Sequence, residues 1–304
     1  MYQHFTKLAV AGLSLVLGLA AVLLSSAALA NDIVRTMVNC NAPRQSLADA
    51  LSSISLDAVN EIHFRGTCIE DLTITKDDVT LTGDGVPNAV IMGGINIDGA
   101  HRVSLRDFDL TSPGAGDTGV DVSNGAAIKI DNIVISSGNI GIFVSNGSFA
   151  RIENADVTVT GDEAALVVAN GSTARLAGGS TLRATGEDVL GIDVKDHASL
   201  HQGGGSDEII GGILINTHSY ARMRNVDIAG DISITRISEL RLRDDDWVPS
   251  GTPTVTGAVG IDRGSFARLD GGEISVGVFC RRGSNAQVSS DVVISSGVNT
   301  CTDF

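Results

Sequence analysis

The stretch Val144-Ser145-Asn146-Gly147-Ser148-Phe149-Ala150-Arg151-Ile152 decides the fold, because it recurs. Val168-Ala169-Asn170-Gly171-Ser172-Thr173-Ala174-Arg175-Leu176 repeats it, Ile261-Asp262-Arg263-Gly264-Ser265-Phe266-Ala267-Arg268-Leu269 repeats it again, and residues 215–223 are a looser copy. With Gly147 as anchor, equivalent positions fall at Lys76, Ala100, Gly125, Gly171, His197, His218, Ile237, Gly264 and Gly283. The steps range from 19 to 27 residues and average 23. A period near that value with β-type alternation marks a solenoid coil.

The columns either side of the anchor support this reading. Five residues before it stand Ile95, Val120, Ile142, Leu166, Ile192, Ile213, Ile232, Val259 and Val278. Five after it stand Leu81, Leu105, Ile130, Ile152, Leu176, Gln202, Met223, Leu242, Leu269 and Val288. Residues two apart on a strand point the same way, so these columns line an interior. One coil cannot bury its apolar face, whereas a stack can. The leucine-rich repeat has a similar period, but its consensus is missing here. The expectation is an all-β chain: a parallel β-helix of about ten coils, with three short strands per coil.

Toward the start, Leu47, Ala50, Leu51 and Ile54 fall on one helical face. A short amphipathic helix there would cover the exposed edge of the first coil. The run from Leu47 through Ile62-His63-Phe64-Arg65-Gly66-Thr67, Leu72-Thr73-Ile74 and Val79-Thr80-Leu81-Thr82-Gly83 resembles the entry into right-handed parallel β-helix proteins. These form the pectin-lyase-like superfamily, which includes pectate lyases, pectinesterases and polygalacturonases. The resemblance implies the right-handed fold, which hosts enzymes and non-enzymes alike. It transfers no catalytic residue. Gly116-Asp117-Thr118 lacks the Gln of a pectinesterase-like Gln-Asp-Thr run, and Asn216-Thr217-His218 breaks the Asn-Thr-Asp of a polygalacturonase-like site. No Gly-His-Gly occurs.

Composition agrees with a narrow aliphatic core. Of 304 residues, 43% are hydrophobic and only 4% aromatic, with 36 Gly and 5 Pro. That excludes a disordered acidic chain. Lys7, the apolar run 8–24 and the small-residue ending Ala28-Leu29-Ala30 read as a secretory signal peptide over residues 1–30. The mature domain, 31–304, would then comprise a capping region 31–70, coils 71–290 and a disulfide-closed end 280–304. It would carry 20 basic and 36 acidic residues, a net −16. No positive field covers such a molecule, which argues against nucleic acid. No later stretch is long enough to span a bilayer. Four cysteines in an exported chain read as disulfides, with Cys40 and Cys68 near one end and Cys280 and Cys301 near the other.

The strongest residue-level signal is a ladder four residues after the anchor: Thr80, Ser104, Lys129, Arg151, Arg175, His201, Arg222, Arg241, Arg268 and Gln287. It precedes an inward column by one residue and should therefore point outward. One reading is a basic track for an extended polyanion, since Arg pairs bidentately with carboxylates. The other is internal compensation by Asp131, Glu153 and Asp270, two residues further along their coils. Rarer residues gather nearby. His218, Tyr220, Arg222 and Arg224 alternate on one coil, Arg241 and Arg243 match them on the next, and Asp244-Asp245-Asp246-Trp247 follows.

The candidate substrate-binding residues are thus Arg151, Arg175, Arg222, Arg224, Arg241, Arg243 and Trp247. His218, Tyr220, Arg222 and Arg241 are the catalytic candidates, for proton abstraction next to a uronate carboxyl. Asp244, Asp245 and Asp246 are the candidate Ca²⁺ ligands, and no other cofactor is implied. Phe143, Val167, Leu214 and Phe279 share a second outward column, expected either to sit under a loop or to form a patch for a partner. Two functions follow. One is an exported, secreted or periplasmic, protein that binds or cleaves acidic polysaccharide or a cell-envelope glycan, as a polysaccharide lyase or glycoside hydrolase if it is an enzyme. The other is a non-catalytic structural or adhesin-like surface module.

Overall fold

The computed structural model describes residues 32–85, 89–112, 114, 116–186, 189–203, 207–243 and 252–301. The expected signal peptide lies outside them. Ile33–Phe304 is one compact unit, and every strand pairing in it is parallel. Each coil contributes three strands. One enters sheet C, the next sheet A and the third sheet B, and the chain then rises to the next coil. In the coil around Gly147 these are Ile140–Val144, Phe149–Glu153 and Asp156–Val159. Sheet C has ten strands among the described residues. Sheets A and B join at their start, because the long strand Val59–Ile69 pairs in both.

The parallel β-helix expected from the periodicity is therefore the fold, with about eleven turns rather than ten. The additional turn comes from the segment read as a cap. Ile33–Asn39 already pairs with Val59–Ile69 in sheet A, but it has no anchor residue by which to align it. The helix is present as Leu47–Ser52, with Leu47, Ala50 and Leu51 buried. Ser46 caps it, and the Glu70 carboxylate accepts from the Leu47 and Ala48 N–H groups at 2.8 and 3.0 Å. Those N–H groups have no partner within a helix. Among the described residues, no helix is long and apolar enough to cross a membrane. Disulfides join Cys40 to Cys68 and Cys280 to Cys301.

The corner between sheets C and A explains the anchor. In coil after coil, two consecutive residues take left-handed backbone, as at Asn124-Gly125, Asn146-Gly147 and Asn170-Gly171. This is the type I′ geometry that favours Asn-Gly. The same conformation continues at Asp196-His197, Thr217-His218 and Arg236-Ile237, where composition gives no hint of it. The first two coils turn differently, with Asp78 and Arg102 left-handed two residues after the aligned anchors. At the corner between A and B, left-handed Asn132 and Asn154 donate from Nδ2 to Asp107 and Asp131 of the preceding coil, at 2.7 and 3.1 Å.

One apolar cluster runs from Val38 to Ala286 and is almost wholly Ile, Val, Leu and Ala. Phe64 and Phe108 are its two rings, edge to face at 5.3 Å. A buried serine column follows the anchor. The N–H of Ser148 donates to Ser172 Oγ at 3.1 Å, Ser219 to Ser238 at 3.2 Å, and Ser238 to Ser265 at 3.2 Å. Each hydroxyl thus satisfies an amide of the coil before it, which an unpaired burial would make costly. The repeated Ser of the sequence motif is an inter-coil hydrogen bond.

Candidate functional site

Sheet A presents the ladder in perfect register. Thr80 pairs with Ser104, Ser104 with Lys129, Lys129 with Arg151 and Arg151 with Arg175. The column continues through His201, Arg222, Arg241, Arg268 and Gln287. The neighbouring Ile130, Ile152, Leu176, Met223 and Leu242 are buried, so the ladder faces outward. Strand spacing sets its members about 4.8 Å apart along the stack.

Compensation operates on four of the ladder's six Lys and Arg residues. Lys129 Nζ reaches Asp131 at 2.8 Å and Glu153 at 2.7 Å. Arg151 Nε donates to Glu153 at 2.6 Å. Arg241 pairs with Glu239 at 2.7 Å, and Arg268 with Asp270 at 2.7 Å. The hydrogen bond from Lys129 holds the carboxyls of Asp131 and Glu153 below their ordinary range. Then the pattern breaks. Two residues past Arg175 stands Ala177, two past His201 stands Gly203, and two past Arg222 stands another Arg, 224. Among the described residues, neither Arg175 nor Arg222 has a carboxylate within ion-pair distance.

A groove of about 400 Å³ lies at this break. Arg175, His201, Arg222 and Arg224 line it, with Phe149 and Thr173 on the neighbouring column and Gln202 and Gly203 at the far edge. Phe149 is 40% exposed, an aromatic face held in the open one coil below Arg175. Such a ring provides a flat apolar platform beside the cations. Behind the groove, Gln202 sits in the inward column and is buried. Its Oε1 accepts the Arg224 N–H at 2.5 Å and its Nε2 donates to Asp207 at 2.7 Å. Asp207 also accepts the Ser180 N–H at 2.6 Å. Burial pushes the Asp207 carboxyl upward, opposed by these donors. This buried polar group fixes the backbone of Arg224 and so the groove's edge.

The expected site residues divide accordingly. Arg175, Arg222 and Arg224 come together in the groove. Arg151 lies one coil away, engaged with Glu153. Arg241 is bound to Glu239, with its guanidinium 5.7 Å from the Tyr220 ring. Arg243 lies 3.6 Å from Asp270. Burial pushes the Tyr220 hydroxyl above its ordinary value. His218 sits on the corner between sheets C and A, stacked on His197 with ring centroids 5.1 Å apart. Asp244, Asp245, Asp246 and Trp247 lie outside the described residues.

Phe149 and His201 line the groove although the sequence offered neither as a site residue. Their signal is positional: an aromatic two residues after the anchor, and the one imidazole in an arginine column. In sheet C, Phe143 pairs with Val167 in the other outward column, and Leu214 and Phe279 stand further along it. Val167 is buried with Ala164 and Ala169 in a small cluster apart from the main core. The one group of three metal-ligating side chains among the described residues is Cys40, Cys68 and Glu70, in which both thiols form the disulfide.

The groove's chemistry suits anion recognition. Among the described residues none that lines it carries a carboxylate, whereas glycoside hydrolysis ordinarily uses a facing pair of them. Guanidinium forks and an aromatic face fit a flat, carboxylated ring.

No protein-family model matches the chain, and no curated protein sequence does. Among solved structures, the chain is similar to the Geobacillus virus E2 protein ORF18, with a TM-score of 0.45 and 12% identity over 84% of this chain. It spans 62% of that protein's length. A pectin methylesterase in complex with a hexasaccharide gives a TM-score of 0.32 at 10% identity, covering 87% of this chain and 92% of that one. Pectin methylesterase PemA from Erwinia chrysanthemi gives 0.33 at 11% identity, covering 85% and 92%. The fold is a parallel β-helix by its own strand pairing.

Proposed function

We propose that this protein is exported and binds acidic polysaccharide, a polyuronate or anionic cell-envelope glycan. The ligand would lie along the stacking direction across sheet A, its carboxylates over Arg175, His201 and Arg222. The observation that carries this reading is the local failure of compensation. Lys129, Arg151, Arg241 and Arg268 each have an acid within 2.8 Å, while Arg175 and Arg222 have none among the described residues, and the groove lies there. Among the described residues no carboxylate lines the groove, which favours binding over cleavage. Phe149 would stack on a sugar ring beside the first guanidinium. Two disulfides accord with an oxidising compartment, secreted or periplasmic.

The test is binding of polygalacturonate, alginate and a neutral glucan at two salt concentrations. The reading expects binding of the acidic polymers only, weakened by salt because the contacts are exposed ion pairs. Equal binding of the neutral glucan, or none of any, would refute it. Release of unsaturated sugar would overturn the preference for binding over cleavage.

A further inference from the structure

We infer that anion binding in this groove takes up a proton at His201, so that affinity rises as the solution becomes more acidic. The inference rests on the polyanion reading above and adds its regulation. His201 holds the ladder position between Arg175 and Arg222, in register with both. It is the one ladder member able to gain or lose a charge at physiological pH, since arginine stays charged throughout.

The groups that face His201 can be named from each side. On the preceding strand stands Arg175. On the following strand stand Arg222, Arg224 and Tyr220, the Tyr220 ring tilted at 55° with its centroid 5.7 Å away. On its own strand, Ser199 and Gln202 are uncharged. His201 has no carboxylate partner among the described residues. A neutral imidazole therefore leaves a one-coil gap in the positive row, between cations about 10 Å apart. The imidazolium closes that gap, and both of its ring nitrogens become donors.

A carboxylate seated over His201 pairs with the imidazolium rather than with the neutral ring. Binding and protonation then favour one another, each strengthening the other by the same factor. The linkage has a definite sign. A complex that holds the proton more tightly than the free protein is strongest at low pH and weakens as pH rises through the histidine range. The two other histidines of the region, His197 and His218, stack on each other at the corner between sheets C and A and do not line the groove.

The experiment is calorimetric titration of the intact protein with a polygalacturonate oligosaccharide, from about pH 5.5 to about pH 8, where histidine titrates. Its carboxylates stay ionised over this interval. Repeating the titration in buffers of different ionisation enthalpy counts the protons taken up directly. Wild-type protein is expected to bind about tenfold more weakly at the upper pH, the worth of one charge-assisted contact. His201→Gln should flatten the profile near the weak limit, and His201→Arg should flatten it near the tight limit. The double change of His197→Gln and His218→Gln should keep the wild-type slope. A slope that survives in His201→Gln, or wild-type binding with no proton uptake, would overturn the inference while leaving polyanion binding intact. No binding by the wild type at any pH would remove the underlying reading, and this one with it.

Discussion

Replacing Ile237 tests how the corners of the solenoid are made. Ile237 has φ of 62° in the second left-handed position of its corner, where Gly147 has 74° and Gly264 has 73°. For a β-branched residue this backbone is an outlier, costing about 1–2 kcal/mol. Little burial offsets that cost, because the residue is 62% exposed. The buried fraction of an Ile side chain that open is worth about 1 kcal/mol at most. Glycine would relieve the strain but would also loosen the unfolded chain by about 0.4–1 kcal/mol. Asparagine tolerates the left-handed region without that loss. Ile237→Asn should therefore stabilise by about 0.5–1 kcal/mol, and Ile237→Gly should be near neutral. The reverse change, Gly264→Ile, should destabilise by about 1–2 kcal/mol, although the space there is open enough for a side chain. Denaturant midpoints at unchanged slope measure all three. Destabilisation by Ile237→Asn, or a Gly264→Ile change without cost, would refute the account of the corner.

Three further expectations follow from the same geometry. Asp207→Ala strips the partner from Gln202 Nε2 and the Ser180 N–H, so thermal denaturation should show a loss of about 2–4 kcal/mol, the price of two unpaired buried donors. A loss below 1 kcal/mol would contradict that role. Gly141→Ala drives a methyl into Val157 and the Ala165 carbonyl, and should cost more than about 2 kcal/mol or prevent folding, whereas Gly147→Ala meets no atom and pays only for its backbone. Finally, Asp131 and Glu153 titrate below their ordinary values because Lys129 hydrogen-bonds them. Their contribution is present above the unfolded carboxylate range and fades as pH falls through the depressed values. Lys129→Met should flatten this acid limb of the stability profile. Burial raises Asp207 instead, so its contribution has the opposite sign and is lost as pH rises.

Much of the fold was legible because a solenoid repeats its constraints. Ile142, Leu166 and Ile192 occupy one column in the sequence and neighbouring rungs of sheet C. The same regularity let His197, His218 and Ile237 be placed at corners for which their chemistry gives no signal. The ladder was legible for the same reason, and so were the acids two residues beyond Lys129, Arg151 and Arg268. What periodicity could not supply is whatever departs from the repeat. Gln202 interrupts an aliphatic column, and only the structure shows that it answers Asp207 across a corner and fixes Arg224. Phe149 and Phe266 look equivalent in the repeat, yet Phe149 shares a groove with Arg175, which has no carboxylate partner among the described residues, while Phe266 precedes the paired Arg268. The coils anchored at Lys76 and Ala100 align with the rest, but their corners do not follow the anchor, because the left-handed residues Asp78 and Arg102 lie two positions beyond it.

The central claim is that a gap in charge compensation, rather than positive charge as such, makes the binding site. Two double variants with the same loss of charge separate these ideas. Arg175→Ala with Arg222→Ala removes two guanidiniums that have no acid among the described residues, and Arg151→Ala with Arg268→Ala removes two that have one. Affinity for polygalacturonate at low salt should fall by at least about 100-fold in the first, two lost charge-assisted contacts, and by less than about threefold in the second. Equal losses in the two variants, or the larger loss in the second, would contradict the account.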